Sequence, residues 1–81
     1  MSQLDIIRNQ VKDLYKKNPK IHMDVSLSSP KLILENAEAT IKGVYPHIFQ
    51  IEEMSEGKAR RHSLQYSDIH TRHIVIRELT K

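Results

Sequence analysis

The spacing of apolar residues changes once along this chain, at Pro19, and that change limits the folds open to it. Before Pro19, apolar residues recur at intervals of three and four, which places them on one stripe of a helix. After Pro19 they alternate with polar residues, as in a half-buried strand. The helical stripe consists of Leu4, Ile7, Val11 and Leu14, and the first alternating run of Ile21, Met23, Val25 and Leu27. The sequence therefore predicts one N-terminal helix followed by β-structure.

The predicted helix covers about residues 3–17. Ser2 and Asp5 have the spacing of a capping box, in which each side chain accepts a hydrogen bond from the other residue's backbone amide. Asn18 precedes Pro19 and is therefore pushed out of helical geometry. The apolar stripe needs a cover, which is either the rest of the chain or, in a homodimer, a second copy. The stripe is thus also a candidate oligomer face.

Five short strands are predicted after Pro19, because turn signals divide the remaining residues. The turns are Ser28-Ser29-Pro30-Lys31, Tyr45-Pro46, the hairpin loop Ser55–Lys58 with its glycine, and a single 3₁₀ turn within residues 66–71. The strand regions between them are about 21–28, 32–44, 47–52, 61–66 and 72–79. Phe49 and Ile51 share one face of the third region, which is expected to turn inward.

One helix and five strands with tight turns predict a mainly β protein built as a small SH3-like or Sm-like five-stranded barrel, over about residues 20–80. Closing a barrel removes the free strand edges that a small sheet exposes. An open α+β sheet with the helix across one face is the alternative. The 81 residues suffice for a single domain, residues 1–81, and the absence of cysteine agrees with a reducing compartment. No signal sequence or membrane span is visible, so we expect a cytoplasmic protein that does not contact a membrane.

The reactive residue types do not form a pattern that indicates catalysis. His70 and His73 are too few for a zinc site without a cysteine, so neither a metal nor another cofactor is expected. Glu52 and Glu53 are adjacent on a strand and should point to opposite faces. Two glycines in the chain cannot build a phosphate-binding loop. We therefore predict a binding protein and not an enzyme.

Basic residues provide the best candidate binding surface. Residues 57–81 contain six basic and two acidic side chains, whereas residues 32–56 contain one basic and five acidic. The predicted basic rim consists of Lys31, Lys58, Arg60, Arg61 and Arg72. Such a rim would meet an acidic protein or a phosphate backbone. The alternative is a solvated, charged hairpin whose role is to prevent edge pairing.

Two further segments carry a resemblance to a known family. Thr40-Ile41-x-x-Val44-Tyr45-Pro46-His47-Ile48-Phe49-Gln50-Ile51 is similar to the Tyr-Pro-x-x-Phe-x-Val/Ile strand of the Veg family of low-GC Gram-positive bacteria. Gln65-Tyr66-Ser67-Asp68-Ile69-His70-Thr71 resembles the Tyr-Ser/Ala-Asp-Val/Ile-x-Thr segment of that family. Their separation, the preceding helix and the total length agree as well.

The matched residues are expected to be structural. Tyr45 and Pro46 would turn the chain between strands, Phe49 would fill the core, and Asp68 would cap the short turn before the last strand. Tyr66 and Thr71 complete the matched set.

The resemblance implies a small non-enzymatic regulator that stimulates biofilm formation, with an SH3-like barrel as its fold. It further implies a protein partner, with a transcription regulator as one candidate, while nucleic acid is the alternative ligand. One segment departs from the family. Veg sequences usually carry Gly-Gly-Arg-Arg/Lys after the first strand, where this chain has Ser28-Ser29-Pro30-Lys31. Most of the basic charge is therefore missing from that turn.

Overall fold

The computed structural model describes residues 2–29 and 31–80, and it shows a helix followed by a five-stranded antiparallel sheet. The elements in chain order are α1 (Gln3–Lys17), β1 (Lys20–Ser28), β2 (Lys31–Val44), β3 (Ile48–Ser55), β4 (Lys58–Gln65), α2 (Tyr66–His70), β5 (Ile74–Ile76) and a 3₁₀ turn (Arg77–Leu79). The prediction of a mainly β protein with one long N-terminal helix is confirmed. Pro30, in the predicted turn before β2, lies outside the described residues.

Helix α1 begins and ends where the sequence predicts. The amide of Asp5 donates to the hydroxyl of Ser2 at 3.2 Å, and the amide of Ser2 donates to the Asp5 carboxylate at 3.3 Å. This is the predicted capping box, and it satisfies amides that have no partner within the helix. At the other end, the Asn18 amide donates to the carbonyl of Leu14 at 2.8 Å before Pro19 forces the chain into β1.

The sheet has the strand order β4-β3-β2-β1-β5, so β4 and β5 are its two edges. Within the described residues these edges do not pair with each other, and the predicted closed barrel is not confirmed. The last strand explains why. Residues 72–79 were predicted as strand, but Arg72 has φ 67° and Arg77–Leu79 form a 3₁₀ turn. Only Ile74–Ile76 remain extended, and they pair with β1.

The hairpin between β3 and β4 follows the prediction closely. Glu56 and Gly57 form its two-residue loop with φ of 53° and 77°, which is the backbone of a type I′ turn. Such a turn matches the twist of the flanking strands, and the register from Ser55↔Lys58 to Ile48↔Gln65 runs without a bulge. Strand β4 is therefore a regular edge strand.

The core lies between the inward face of the sheet and α1. Its fully buried members include Phe49 and Ile51 from β3, Ile74 and Ile76 from β5, and Val11 from α1. The helical stripe is thus covered by the chain itself: Ile7 is 6% and Val11 0% exposed, and Leu14 packs against the same cluster. Of the stripe proposed as an oligomer face, Leu4, 43% exposed, and the half-buried Leu14 remain accessible. A homodimer formed through this stripe stays a prediction.

We expect Val11→Ala to lower the free energy of unfolding by about 2–3 kcal/mol, because it removes buried methyl groups and leaves a cavity between α1 and the sheet. Lys12→Ala is the matched control, since Lys12 is exposed on the same helical turn and should change stability by about 0.5 kcal/mol or less. Urea unfolding of both variants measures the difference. Equal effects would contradict the placement of α1 on the core.

Candidate binding surface

The two segments that carry the family resemblance meet at one junction. Tyr66 opens α2, is buried, and donates its hydroxyl proton to the carbonyl of Tyr45 at 2.7 Å. Its ring stacks on Phe49 with the centroids 5.4 Å apart. Burial raises the pKa of the Tyr66 hydroxyl. The hydroxyl therefore remains protonated and acts as a hydrogen-bond donor.

Helix α1 is bound to the same junction. Arg8 donates to the carbonyl of Pro46 at 3.3 Å and also to the carboxylate of Asp5 at 3.0 Å. The ring of Tyr45 lies over Gly43, where a Cβ atom would come within 2.8 Å of the ring. A side chain at position 43 would therefore displace the ring of Tyr45. A cleft of about 500 Å³ opens between the start of α1, the turn at 45–47 and the start of α2, but its charged groups, Asp5 and Arg8, already pair with each other.

These contacts assign structural positions to the matched residues, with one correction. Asp68 was predicted to cap the turn before β5, but α2 is a short α-helix instead of a 3₁₀ turn, and its N-cap is Gln65. Asp68 therefore lies inside the helix, and its carbonyl, not its carboxylate, accepts from the Thr71 hydroxyl at 3.3 Å. Thr71 also contacts Nδ1 of His73 at 2.7 Å.

We expect Tyr66→Phe to lower the free energy of unfolding by about 0.5–1.5 kcal/mol, because the carbonyl of Tyr45 loses its donor while the ring stays on Phe49. Tyr15→Phe is the control, since the Tyr15 hydroxyl makes an exposed and longer bond, 3.3 Å, to the carbonyl of Lys42. Thermal unfolding compares the two. A larger effect at Tyr15 would contradict the junction described above.

The basic rim does not form a single cluster. Lys58, Arg60 and Arg61 are neighbours on β4, and all three are exposed. Lys31 pairs with Ser28 next to the turn between β1 and β2. At this turn, Ser28 and Ser29 face Ser63–Gln65, the last residues of β4, across a cleft of about 340 Å³. Lys58 is at the opposite end of β4 from Ser63–Gln65, so Lys31 is separated from it.

Arg72 is separated from the β4 residues as well, since it lines a cleft between α1 and β5. The structure thus brings Lys58 and Arg60 together on one face of β4, while Arg61 points to the opposite face with its partner Glu52.

The three basic residues on β4 differ in how they are paired. Arg61 Nε lies 3.4 Å from a carboxylate oxygen of Glu52 on β3. Lys58 and Arg60 have no ion-pair or hydrogen-bond partner among residues 2–29 and 31–80. Their charges are therefore available to a ligand, whereas the charge of Arg61 is partly neutralised.

Glu53 is a buried carboxylate on β3. It is 4% exposed, and its Oε1 lies 3.2 Å from Nε2 of His62 on β4. The alternation of β3 indicated this, because Glu53 follows Phe49 and Ile51 on the inward face. As predicted, Glu52 points to the opposite face, so the two carboxylates do not share a site.

A second polar cluster ties the C-terminal turn to β1, and the sequence pattern did not reveal it. Asp24 accepts from Arg77 at 2.9 Å and 3.1 Å, and from the amide of Asn36 at 2.8 Å. The side-chain hydrogen bond with Arg77, followed by the Asn36 amide, lowers the pKa of Asp24. Asn36 has φ 45° and lies at an irregularity in the β1–β2 pairing. Asp24 therefore stabilises both the irregularity at Asn36 and the start of the 3₁₀ turn at Arg77.

His22 completes this cluster. Its Nδ1 lies 2.8 Å from Glu78, its backbone amide donates to the same carboxylate at 2.8 Å, and Glu38 is 3.8 Å from Nε2. The side-chain hydrogen bond with Glu78 raises the pKa of His22. Burial pushes the pKa of Glu78 up, but the hydrogen bonds from His22 outweigh it and leave that pKa lowered.

These shifts predict a pH window for stability. A histidine whose pKa rises on folding stabilises the protein fully below about pH 6.5 and loses that contribution as pH rises through the folded-state value. Glu78 and Asp24, whose pKa values are lowered on folding, stabilise the protein fully above about pH 4.5, and this contribution is lost as the pH falls. Above about pH 6.5, we expect the unfolding temperature of the wild type to fall more steeply with pH than that of His22→Gln. Parallel pH profiles for the two proteins would contradict the role of His22.

Metal ligation has no support in the described part of the chain. Residues 2–29 and 31–80 contain no group of three or more histidine, cysteine, aspartate or glutamate side chains placed to hold an ion. His70 and His73 are both exposed. Neither helix of this part is long and apolar enough to cross a membrane.

The fold is that of a small, mainly β protein. Most of the acidic side chains described above form ion pairs or hydrogen bonds with neighbouring residues of the same chain. A family model described as "Biofilm formation stimulator VEG" matches residues 2–77. The chain therefore belongs to the Veg family, and the resemblance inferred from the two motifs is confirmed. No curated protein and no solved structure was found to be significantly similar to it.

Proposed function

We propose that this chain takes part in stimulating biofilm formation by binding a regulatory protein, and not by catalysis. Its family supports the role in biofilm formation. The proposed target is a protein that controls transcription, as the resemblance to the Veg family implies. The histidines and carboxylates described above support binding instead of catalysis, because Asp24, His22 and Glu53 are engaged by neighbouring residues.

The contact surface that we favour is the basic part of β4. Two surfaces were candidates, the helical stripe and the basic rim. Because Ile7 and Val11 are buried under the sheet, the stripe offers little area. Lys58, Arg60 and Arg61 are all exposed, and two of them are unpaired among the described residues. This difference in accessibility is the observation that carries the proposal.

Nucleic acid is the second candidate ligand, because the unpaired cations Lys58 and Arg60 would also contact phosphates. The two candidates differ in their response to salt. Each phosphate contact makes log K fall with log[salt] by about 0.7–0.9. The buried rings Phe49 and Tyr66 are not available for base stacking, and the exposed rings Tyr15 and Tyr45 adjoin α1 and the turn after β2, away from β4. This favours the protein ligand.

A genetic replacement tests the proposal. We expect Arg60→Glu to abolish the stimulation of biofilm formation in cells that lack the natural copy, because it reverses an unpaired charge at the contact surface. Lys12→Glu is the matched control, since it reverses an exposed basic residue on α1 and should retain the activity. The measured quantity is biofilm mass at equal protein level. Full activity of Arg60→Glu would contradict the assignment of this surface.

A further inference from the structure

Strand β4 has a free edge whose backbone groups are ordered for pairing. Ser55 and Lys58 flank a two-residue turn, so they form a hydrogen-bonded pair, and the pairs along β3 and β4 then alternate. The amides of Arg60 and His62 consequently point toward β3. Those of Ala59 and Arg61 point away from the sheet, together with their carbonyls. No backbone group in residues 2–29 and 31–80 bonds to them from outside the sheet.

The charges on this edge select the kind of strand that fits beside it. A strand added to β4 would have its side chains about 5 Å from those of Lys58, Arg60, Arg61 and His62. The carboxylates of Glu52 and Glu53 lie on β3, one strand further away at about 10 Å, and both are at least half-buried. An incoming strand therefore meets the cations first. Acidic side chains on the incoming strand would therefore be attracted to this edge, and basic side chains would be repelled.

Self-pairing is disfavoured by the same charges. If two copies joined through β4, the basic residues of one strand would face those of the other, and like charges directly opposite destabilise a strand pair. A phosphate chain would use the cations, and its oxygens accept hydrogen bonds from amides, but its phosphates carry no donor for the alternating carbonyls. An extended peptide with acidic side chains satisfies both features of the edge.

We propose that the free edge of β4, residues Lys58–His62, binds an acidic extended segment of a partner protein as an additional strand. Main-chain hydrogen bonds to Ala59 and Arg61 supply part of the affinity, and ion pairs with Lys58 and Arg60 supply the selectivity. The inference rests on the proposed function, because it specifies the chemistry of the protein partner at the same surface. Binding of this kind requires a free strand edge, which a closed barrel would lack.

Hydrogen exchange with a defined probe tests this without any substitution. The probe is a short synthetic peptide of alternating glutamate and threonine, and the control is its lysine–threonine counterpart. We expect the glutamate peptide to slow exchange of the Ala59 and Arg61 amides. The amides of Arg60 and His62 should be slow with and without it, because they bond to β3. Unchanged exchange at Ala59 and Arg61 with saturating peptide would overturn the proposal.

Two variants separate the backbone contribution from the charge. Ala59→Pro removes an outward amide without touching the ladder to β3, and we expect it to weaken binding of the glutamate peptide by about tenfold. Ala59→Val, which keeps the amide, should bind normally. Arg60→Gln should weaken binding by about two- to fivefold, because exposed ion pairs are worth little.

Three results would overturn the inference in favour of other ligands. Equal binding of the lysine peptide would remove charge selection. Tighter binding of an oligothymidylate than of the glutamate peptide, unaffected by Ala59→Pro, would indicate phosphate recognition. Protection of Ala59 and Arg61 that increases with protein concentration alone would indicate a second copy. The biofilm assay with Arg60→Glu is independent of these peptides, so failure of the added strand and failure of the proposed function are distinguishable.

Discussion

The packing of α1 on the sheet is the interaction on which the rest of the structure depends. A domain of this size has a small core, and without cysteine it has no covalent cross-link to compensate. Ile7 and Val11 close the core on the side that the sheet leaves open. The capping box sets where the helix starts, and Arg8 fixes its orientation by a hydrogen bond to the carbonyl of Pro46. Local helix signals and tertiary packing thus specify the same arrangement.

The elements that the sequence predicts well are those specified by near neighbours. The spacing of Ser2 and Asp5, the proline at 19 and the glycine at 57 determine α1 and the β3–β4 hairpin through backbone geometry alone. Alternation then assigns the inward face of each strand, including Phe49. The polar pairs Asp24–Arg77 and His22–Glu78 join residues 53 and 56 positions apart, and no periodicity encodes such pairs.

The unclosed sheet has a local cause as well, which the apolar pattern concealed. Ile74 and Ile76 alternate as strand residues do, and this suggested a strand of full length. The left-handed backbone at Arg72 and the 3₁₀ turn after Ile76 shorten it to three residues. The bonds of Arg77 to Asp24 add a tertiary contact that holds the 3₁₀ turn. A barrel therefore could not be distinguished from an open sheet by counting strands.

The candidate binding surface was predictable in composition but not in extent. Charge counting identified the five basic residues, whereas only the strand register showed that Lys31 lies apart from the β4 residues. Lys31 is also the residual cation in the turn where Veg sequences usually carry several. Charge pairing decides the rest, because Glu52 neutralises Arg61 and leaves Lys58 and Arg60 unpaired among the described residues.

Native-state hydrogen exchange of the intact protein tests the central claim most directly, which is that α1 and the sheet form one cooperative unit. The amides of Val11 in α1 and Ile51 in β3 report on the two layers. If the helix completes the core, both should exchange only through global unfolding, with the same free energy of opening and the same dependence on denaturant. Exchange of Val11 through a separate, lower-energy opening, while Ile51 stays protected, would show that the sheet is stable without the helix and would contradict the account.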